Sequence, residues 1–97
     1  MDKTIKAILL TTNQILVSQI DEVSASVPGE PDCKLTKPFV LTSDGMLESW
    51  MMTATRDEEF MISSDKILTL AEPTPTLIEK YEDLTKYWHY LNKHLII

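Results

Sequence analysis

The sequence is poor in the residues on which most small-protein chemistry depends. Its 97 residues hold one cysteine, Cys33, which excludes an intrachain disulfide and argues against a stapled, secreted scaffold. Histidine occurs only as His89 and His94. Five positions apart on a helix, they fall on different faces, and neither a His-Glu-x-x-His nor a Cys-x-x-Cys spacing exists, so no metal site and no cofactor are expected. The two glycines, Gly29 and Gly45, are too isolated to build a phosphate-cradling loop. Nine basic residues stand against fifteen acidic ones, a formal net charge of −6, and that field repels nucleic-acid phosphates and anionic membranes. Long apolar runs are missing too. Ala7-Ile8-Leu9-Leu10 is far short of a membrane span, and no apolar core followed by a small-residue cleavage site opens the chain. The expectation is a cytoplasmic protein with no membrane partner.

What is present describes a small globular domain. Apolar residues make up 43% and charged residues 25%, a folded rather than a disordered composition, and the length suits one domain. Val27-Pro28-Gly29-Glu30-Pro31-Asp32 is a strong loop signal and Thr42-Ser43-Asp44-Gly45 a hairpin turn. Thr11-Thr12-Asn13-Gln14 is a weaker turn around the left-handed-tolerant Asn13, and Arg56-Asp57-Glu58 is a polar break. These leave extended segments at Thr4–Leu10, Gln14–Val23, Cys33–Leu41, Leu47–Thr55, Glu59–Ile62 and Ile67–Leu70. Turns recurring about every 8–12 residues are the spacing of a small barrel or sandwich. In the first segment Ile5, Ala7 and Leu9 oppose Ile8 and Leu10, so both faces of that strand need covering.

The pattern changes period near the end. Leu77, Tyr81, Leu84, Trp88, Leu91 and Leu95 recur at alternating steps of four and three, one stripe along an amphipathic helix. Thr74 is the expected N-cap, with Pro75 in the first helical position. Glu79, Glu82 and Asp83 precede Lys86, His89, Lys93 and His94, which matches the helix dipole, and Glu82 can pair with Lys86 across one turn. The predicted architecture is mostly β, with residues 1–73 forming a barrel-like domain and residues 74–97 a C-terminal α-helix. That helix packs on the same domain or on a neighbouring subunit.

Catalytic candidates are few. Cys33 lacks a histidine close in sequence to lower its pKa. Asp21-Glu22, Asp57-Glu58-Glu59 and Glu82-Asp83 are adjacent pairs that point apart, so they do not form shared-proton dyads. Trp50, Met51, Met52, Phe60 and Met61 read as core or subunit-interface packing. As a base-stacking platform they would need basic neighbours, and Arg56 is the only one nearby. Lys3, Lys6, Lys34 and Lys37 are the cations most able to gather. The chain is expected not to be an enzyme, a small enzyme using Cys33 being the alternative.

The run Phe60-Met61-Ile62-Ser63-Ser64-Asp65-Lys66-Ile67-Leu68-Thr69-Leu70 resembles the second motif of Sm-like proteins (the Sm, LSm and Hfq superfamily). A strand there ends at an apolar residue, a tight polar turn follows, and a short strand closes the barrel. Ile5–Leu10 and Ile15–Val23 resemble the opening hairpin of the first motif. With Glu72-Pro73-Thr74-Pro75 and the terminal helix, the whole chain is similar to a small Sm-like family of marine phages and ocean metagenomes. The resemblance implies a strongly bent, five-stranded antiparallel Sm-like (SH3-like) barrel with a C-terminal helix. It further implies a cyclic homo-oligomer joined edge to edge through the last two strands, here Phe60, Ile62, Ile67 and Leu70, and the cytoplasm of a host cell if the chain is phage-encoded. It also implies single-stranded RNA as a candidate partner, with Ser63, Ser64 and Lys66 at the pore. The chain departs from the RNA-binding pattern in two places. Ser63-Ser64 stand where an Arg-Gly pair is usual, and the loop after the second strand has no matching Asn, so the guanidinium that would hold the nucleotide is missing. A non-enzymatic ring scaffold is the leading expectation, and a monomeric SH3-like adaptor the alternative.

Overall fold

The computed structural model describes residues 4–24, 27–51 and 54–86. Antiparallel strands β1 (Ile5–Leu10) and β2 (Ile15–Glu22) form the opening hairpin. Its turn places Asn13 at φ 70°, and the Asn13 amide donates to the Leu10 carbonyl at 2.9 Å. The long β3 (Cys33–Leu41) pairs with β2, then turns through Gly45, at φ 84°, into β4 (Leu47–Ser49). A later strand, β5 (Glu59–Ile62), pairs with the first half of β3. A 3-10 turn at Ser64–Lys66 leads into β6 (Ile67–Ala71), which pairs with β1, and α1 (Pro75–Lys86) follows. The sheet order is β4-β3-β2-β1-β6, with β5 beside β4 on the same edge of β3. Among the described residues no pairing joins β6 to β5 or β4, so the sheet is open.

Six strands stand, as many as the extended segments read from the sequence and one more than the barrel of the resemblance, and β3 bends between its two halves. Val17 pairs with Phe39 and Gln19 with Thr36, so the single residue Ser18 opposes both Lys37 and Pro38, a bulge that kinks the strand. Proline is tolerated there because the bulge asks for no ladder hydrogen bond from it. Lys37 takes φ 52°, a conformation a lysine adopts only when its surroundings impose it. Its amide donates to the Glu58 carbonyl at 2.6 Å, while the Trp50 amide donates to the Pro38 carbonyl at 3.0 Å. The edge lane follows the kink and breaks into two short strands. The expected strand at Leu47–Thr55 therefore stops at Ser49, where Trp50 and Met51 turn, with Met51 at φ 60°.

Both faces of the sheet are apolar, as the opposing Ile5 and Ile8 implied. On the outer face Ile5, Val17 and Phe39 pack with Tyr81 of α1, flanked by Leu47, Leu77 and Leu84. On the inner face Ile8, Leu10, Leu16 and Leu35 meet Ile20, Val40, Trp50, Phe60, Ile62 and Ile67 as the sheet curls over itself. Over its described length the helix thus packs on its own sheet. Thr74 caps it, its Oγ1 accepting from the Leu77 amide at 3.3 Å. Lys86 reaches Asp83 at 3.7 Å rather than the expected Glu82. Residues 87–97, which complete the expected helix and carry both histidines, lie outside the described residues.

Tyr81 does more than fill space. Its ring meets Phe39 edge-on, centroids 5.7 Å apart at 85°. Its hydroxyl accepts from the Gln19 amide (3.3 Å) and donates to the Thr36 carbonyl (3.0 Å). Those two groups belong to paired residues beside the bulge, so the helix supplies the bridge that the distorted ladder leaves open. The buried Ser18 hydroxyl donates beside it, with the Gln19 carbonyl at 2.8 Å and the Thr36 carbonyl at 3.1 Å.

Candidate functional site

Two loops distant in sequence meet at one end of the sheet. The loop before β3 turns through Gly29, at φ 94°, and ends at Asp32. The 3-10 turn before β6 starts at Ser64. Asp32 clasps it with both oxygens: the Ser64 amide donates to Oδ1 and the Ser64 hydroxyl to Oδ2, each at 2.7 Å. These two bonds, the hydroxyl first, hold the Asp32 carboxyl below the usual carboxylate range although it is exposed to solvent.

Around this clasp lies a shallow depression of about 200 Å³ lined by Gly29, Glu30, Asp32, Ser63, Ser64 and Asp65. Among the described residues it combines hydroxyls with three carboxylates and no cation, a surface that repels phosphate. Ser63 and Ser64 both line this depression. Lys66 is exposed at the far end of the turn and does not line the depression; its carbonyl accepts from the Thr11 amide at 2.9 Å. Among the described residues, Lys6 and Lys34 do not share a basic patch. Lys6 pairs with Glu72 and Lys34 lies 3.9 Å from Glu59. Strand alternation puts Lys6 on the inner face and Lys34 on the outer, and Lys3 lies outside the described residues.

A second cavity, a cleft of about 350 Å³, is lined by Ile20, Ile67 and Leu70 together with Lys6, Glu22, Cys33 and Ser64. Burial first, then the charges of Asp32 and Glu22, push the Cys33 thiol up, the reverse of what a nucleophilic thiolate needs. Phe60, Ile62 and Ile67 turn inward, and Phe60 meets Trp50 at 5.6 Å between ring centroids. Leu70 remains 50% exposed, as do Met61 (52%) and Leu68 (59%) on the two strands that border the unpaired seam of the sheet. Leu68 stands out because β6 carries a bulge there: Leu9 pairs with Thr69 and Leu10 with Ile67.

The chain belongs to a family of unknown function, DUF6561. Its family model matches residues 3–86, from the first strand to the end of the described helix, so both the clasp and the seam lie inside the DUF6561 region. No curated protein matches the chain. Among the described residues no helix is long and apolar enough to cross a membrane, and no group of three or more His, Cys, Asp or Glu side chains could hold a metal ion. The sequence pattern pointed to Ser63 and Ser64 but not to Asp32, the partner of Ser64. Nothing local in the sequence could have marked it, because the contact spans 32 positions and exists only once β3 and β6 are in place.

Proposed function

We propose that this DUF6561 chain is a non-enzymatic, Sm-like subunit that closes with copies of itself into a ring and serves as an interaction scaffold. The observation that carries the reading is the open sheet: its two edge lanes, β5 and β6, face one seam and expose Met61, Leu68 and Leu70 beside unpaired backbone. Free apolar edges are aggregation-prone in a monomer and are satisfied when each β6 pairs with the β5 of the next copy. Such head-to-tail contacts close into a cyclic oligomer. The strand order and the meeting of the two loops at Asp32–Ser64 support an Sm-like barrel within each subunit.

The acidic lining of the loop cluster favours a protein partner over RNA. Light scattering over a range of concentrations tests the assembly. A mass several times 11.1 kDa supports the ring, and the mass of one chain at every concentration overturns it in favour of a monomeric adaptor. Fluorescence polarisation with short uridine-rich and adenine-rich RNAs tests the partner. No salt-dependent binding at micromolar protein is expected, and binding that weakens with salt would return RNA to the pore residues Ser63, Ser64 and Lys66.

A further inference from the structure

The inner face of the sheet is not filled along its whole length. Register places Leu70 and Ile67 of β6 opposite Ile8 and Leu10, Ile20 of β2 opposite Leu35, and Glu22 opposite Cys33. Residues paired across an antiparallel ladder share a face, so all of these side chains stand on the inner side. Ile8, Leu10 and Leu35 are buried there, whereas Ile20 and Ile67 are half-buried and Leu70 is 50% exposed. The cleft of about 350 Å³ lies against those last three. An aliphatic recess left open in this way is a place for one large side chain from outside.

The acidic depression adjoins it. Ser64 lines both hollows, and Asp32, which clasps Ser64, is followed directly by Cys33 of the cleft. Among the described residues the two hollows together present four carboxylates, Glu22, Glu30, Asp32 and Asp65, against one ammonium, Lys6. Lys6 is already paired with Glu72, while Glu22 makes no ion pair among the described residues. After burial, the charges of Asp32 and Glu22 are what push the Cys33 thiol up, so the negative field reaches the cleft itself. An aliphatic recess continued by acidic ground complements one chemistry, an apolar side chain with lysine or arginine beside it in the same peptide. A purely apolar occupant leaves the carboxylates unanswered, and a nucleic acid is repelled by them.

We propose that the cleft and the depression together dock a basic peptide segment of a protein partner, its apolar anchor against Ile20, Ile67 and Leu70 and its cationic side chains over Glu30, Asp32 and Asp65. The inference rests on the scaffold reading and names the partner class for it. The test is fluorescence polarisation of the full chain with short labelled peptides in which a central Leu, Met, Phe or Trp stands between lysine pairs. At least one is expected to bind at micromolar protein, more weakly as salt rises. Replacing the central residue of that peptide by serine should weaken binding about tenfold or more. The chain carrying Glu22→Lys with Asp65→Lys, both exposed positions, should bind about tenfold more weakly with an unchanged circular dichroism spectrum. No binding by any of the peptides at millimolar protein overturns the proposal. Equal binding of the serine peptide, of a glutamate-for-lysine peptide, or by the charge-reversed chain overturns it as well. A fall in oligomer mass on adding peptide means that a second copy holds the cleft, and n-hexylamine binding as tightly as the peptide means a site for a small amine; either overturns it. No peptide binding by a chain that light scattering shows to be oligomeric removes this site and leaves the ring standing. Binding by a monomeric chain keeps the site and removes the ring.

Discussion

The two faces of the sheet solve the same problem in different ways. The outer face is closed by a separate element, α1, and a single residue, Tyr81, fastens it by packing on Phe39 and bridging the Gln19–Thr36 pair. The inner face is closed by curvature alone. The kink at Lys37–Pro38 folds β3 so that Ile8, Leu10, Leu16 and Leu35 meet the side chains of β5 and β6. A face roofed by a helix can be complete within one chain. Curling brings the two edge lanes toward each other without pairing them, which leaves a seam for another chain to fill. Stability and assembly are therefore expected to reside on different faces.

The largest effect that would expose this division is Tyr81→Ala. Removing a fully buried aromatic from the helix that covers the outer face should cost about 3–5 kcal/mol and free both bulge groups, read as a lower urea midpoint. Leu35→Ala on the inner face should cost about 2–5 kcal/mol. If curvature alone closes that face, the neighbouring strands can settle and the loss falls in the lower half of that range. A loss equal to that of Tyr81→Ala would erase the contrast between the faces. Tyr81→Phe isolates the bridge. It keeps the ring and leaves the Gln19 amide and Thr36 carbonyl without the hydroxyl, for an expected loss of about 1–3 kcal/mol; a silent change would reduce Tyr81 to a space filler.

Leu70→Lys sits at the seam. Its effect on the stability of the single chain should lie within about 0.5 kcal/mol, while the oligomer mass in light scattering should fall. An unchanged mass would move the assembly surface elsewhere. Asp32→Asn is the smallest expected change and reads best against pH. The Asp32 carboxyl lies below its ordinary value when folded, so the folded state holds it ionised more readily than the unfolded chain does. Its contribution is thus fully present above about pH 4 and is lost as pH falls through the lowered folded value. The variant should be less stable than the parent at neutral pH, where that contribution is fully present, and converge with it as pH falls through the lowered value, which flattens the acid limb of the stability curve. An identical acid limb would mean that the Ser64 clasp contributes nothing. Cys33 offers a side check, since its raised pKa predicts slow reaction with iodoacetamide at neutral pH in the native protein.

Much of this was legible in the residues. The turns at Asn13 and Gly45, the strand at Cys33–Leu41 and the cap at Thr74 follow from local chemistry: tolerance of positive φ, β-branched runs and a hydroxyl aimed at a free amide. The opposing Ile5 and Ile8 showed that both faces needed cover, and the stripe of Leu77, Tyr81 and Leu84 identified what covers one of them. Hidden from view were the contacts that local pattern does not encode. Lys37 carries no sign that it will take a left-handed conformation, because the bulge is imposed by pairing with β2 on one side and by the Glu58 carbonyl on the other. The Asp32–Ser64 clasp and the position of the Tyr81 hydroxyl are likewise products of strand register. Phe60, Ile62 and Leu70 could be named as edge residues but not sorted into inward and outward ones, since a single bulge such as that at Leu68 reverses the alternation.

The sequence by itself determined that the chain would be mostly extended, antiparallel and closed by one amphipathic helix, because hydrophobic period and turn chemistry act over a few residues at a time. Only the tertiary structure decided which loops meet, which lysines are neutralised and where the sheet stays open. Those outcomes depend on the register and curvature of strands far apart in the chain, set by the burial of both faces at once.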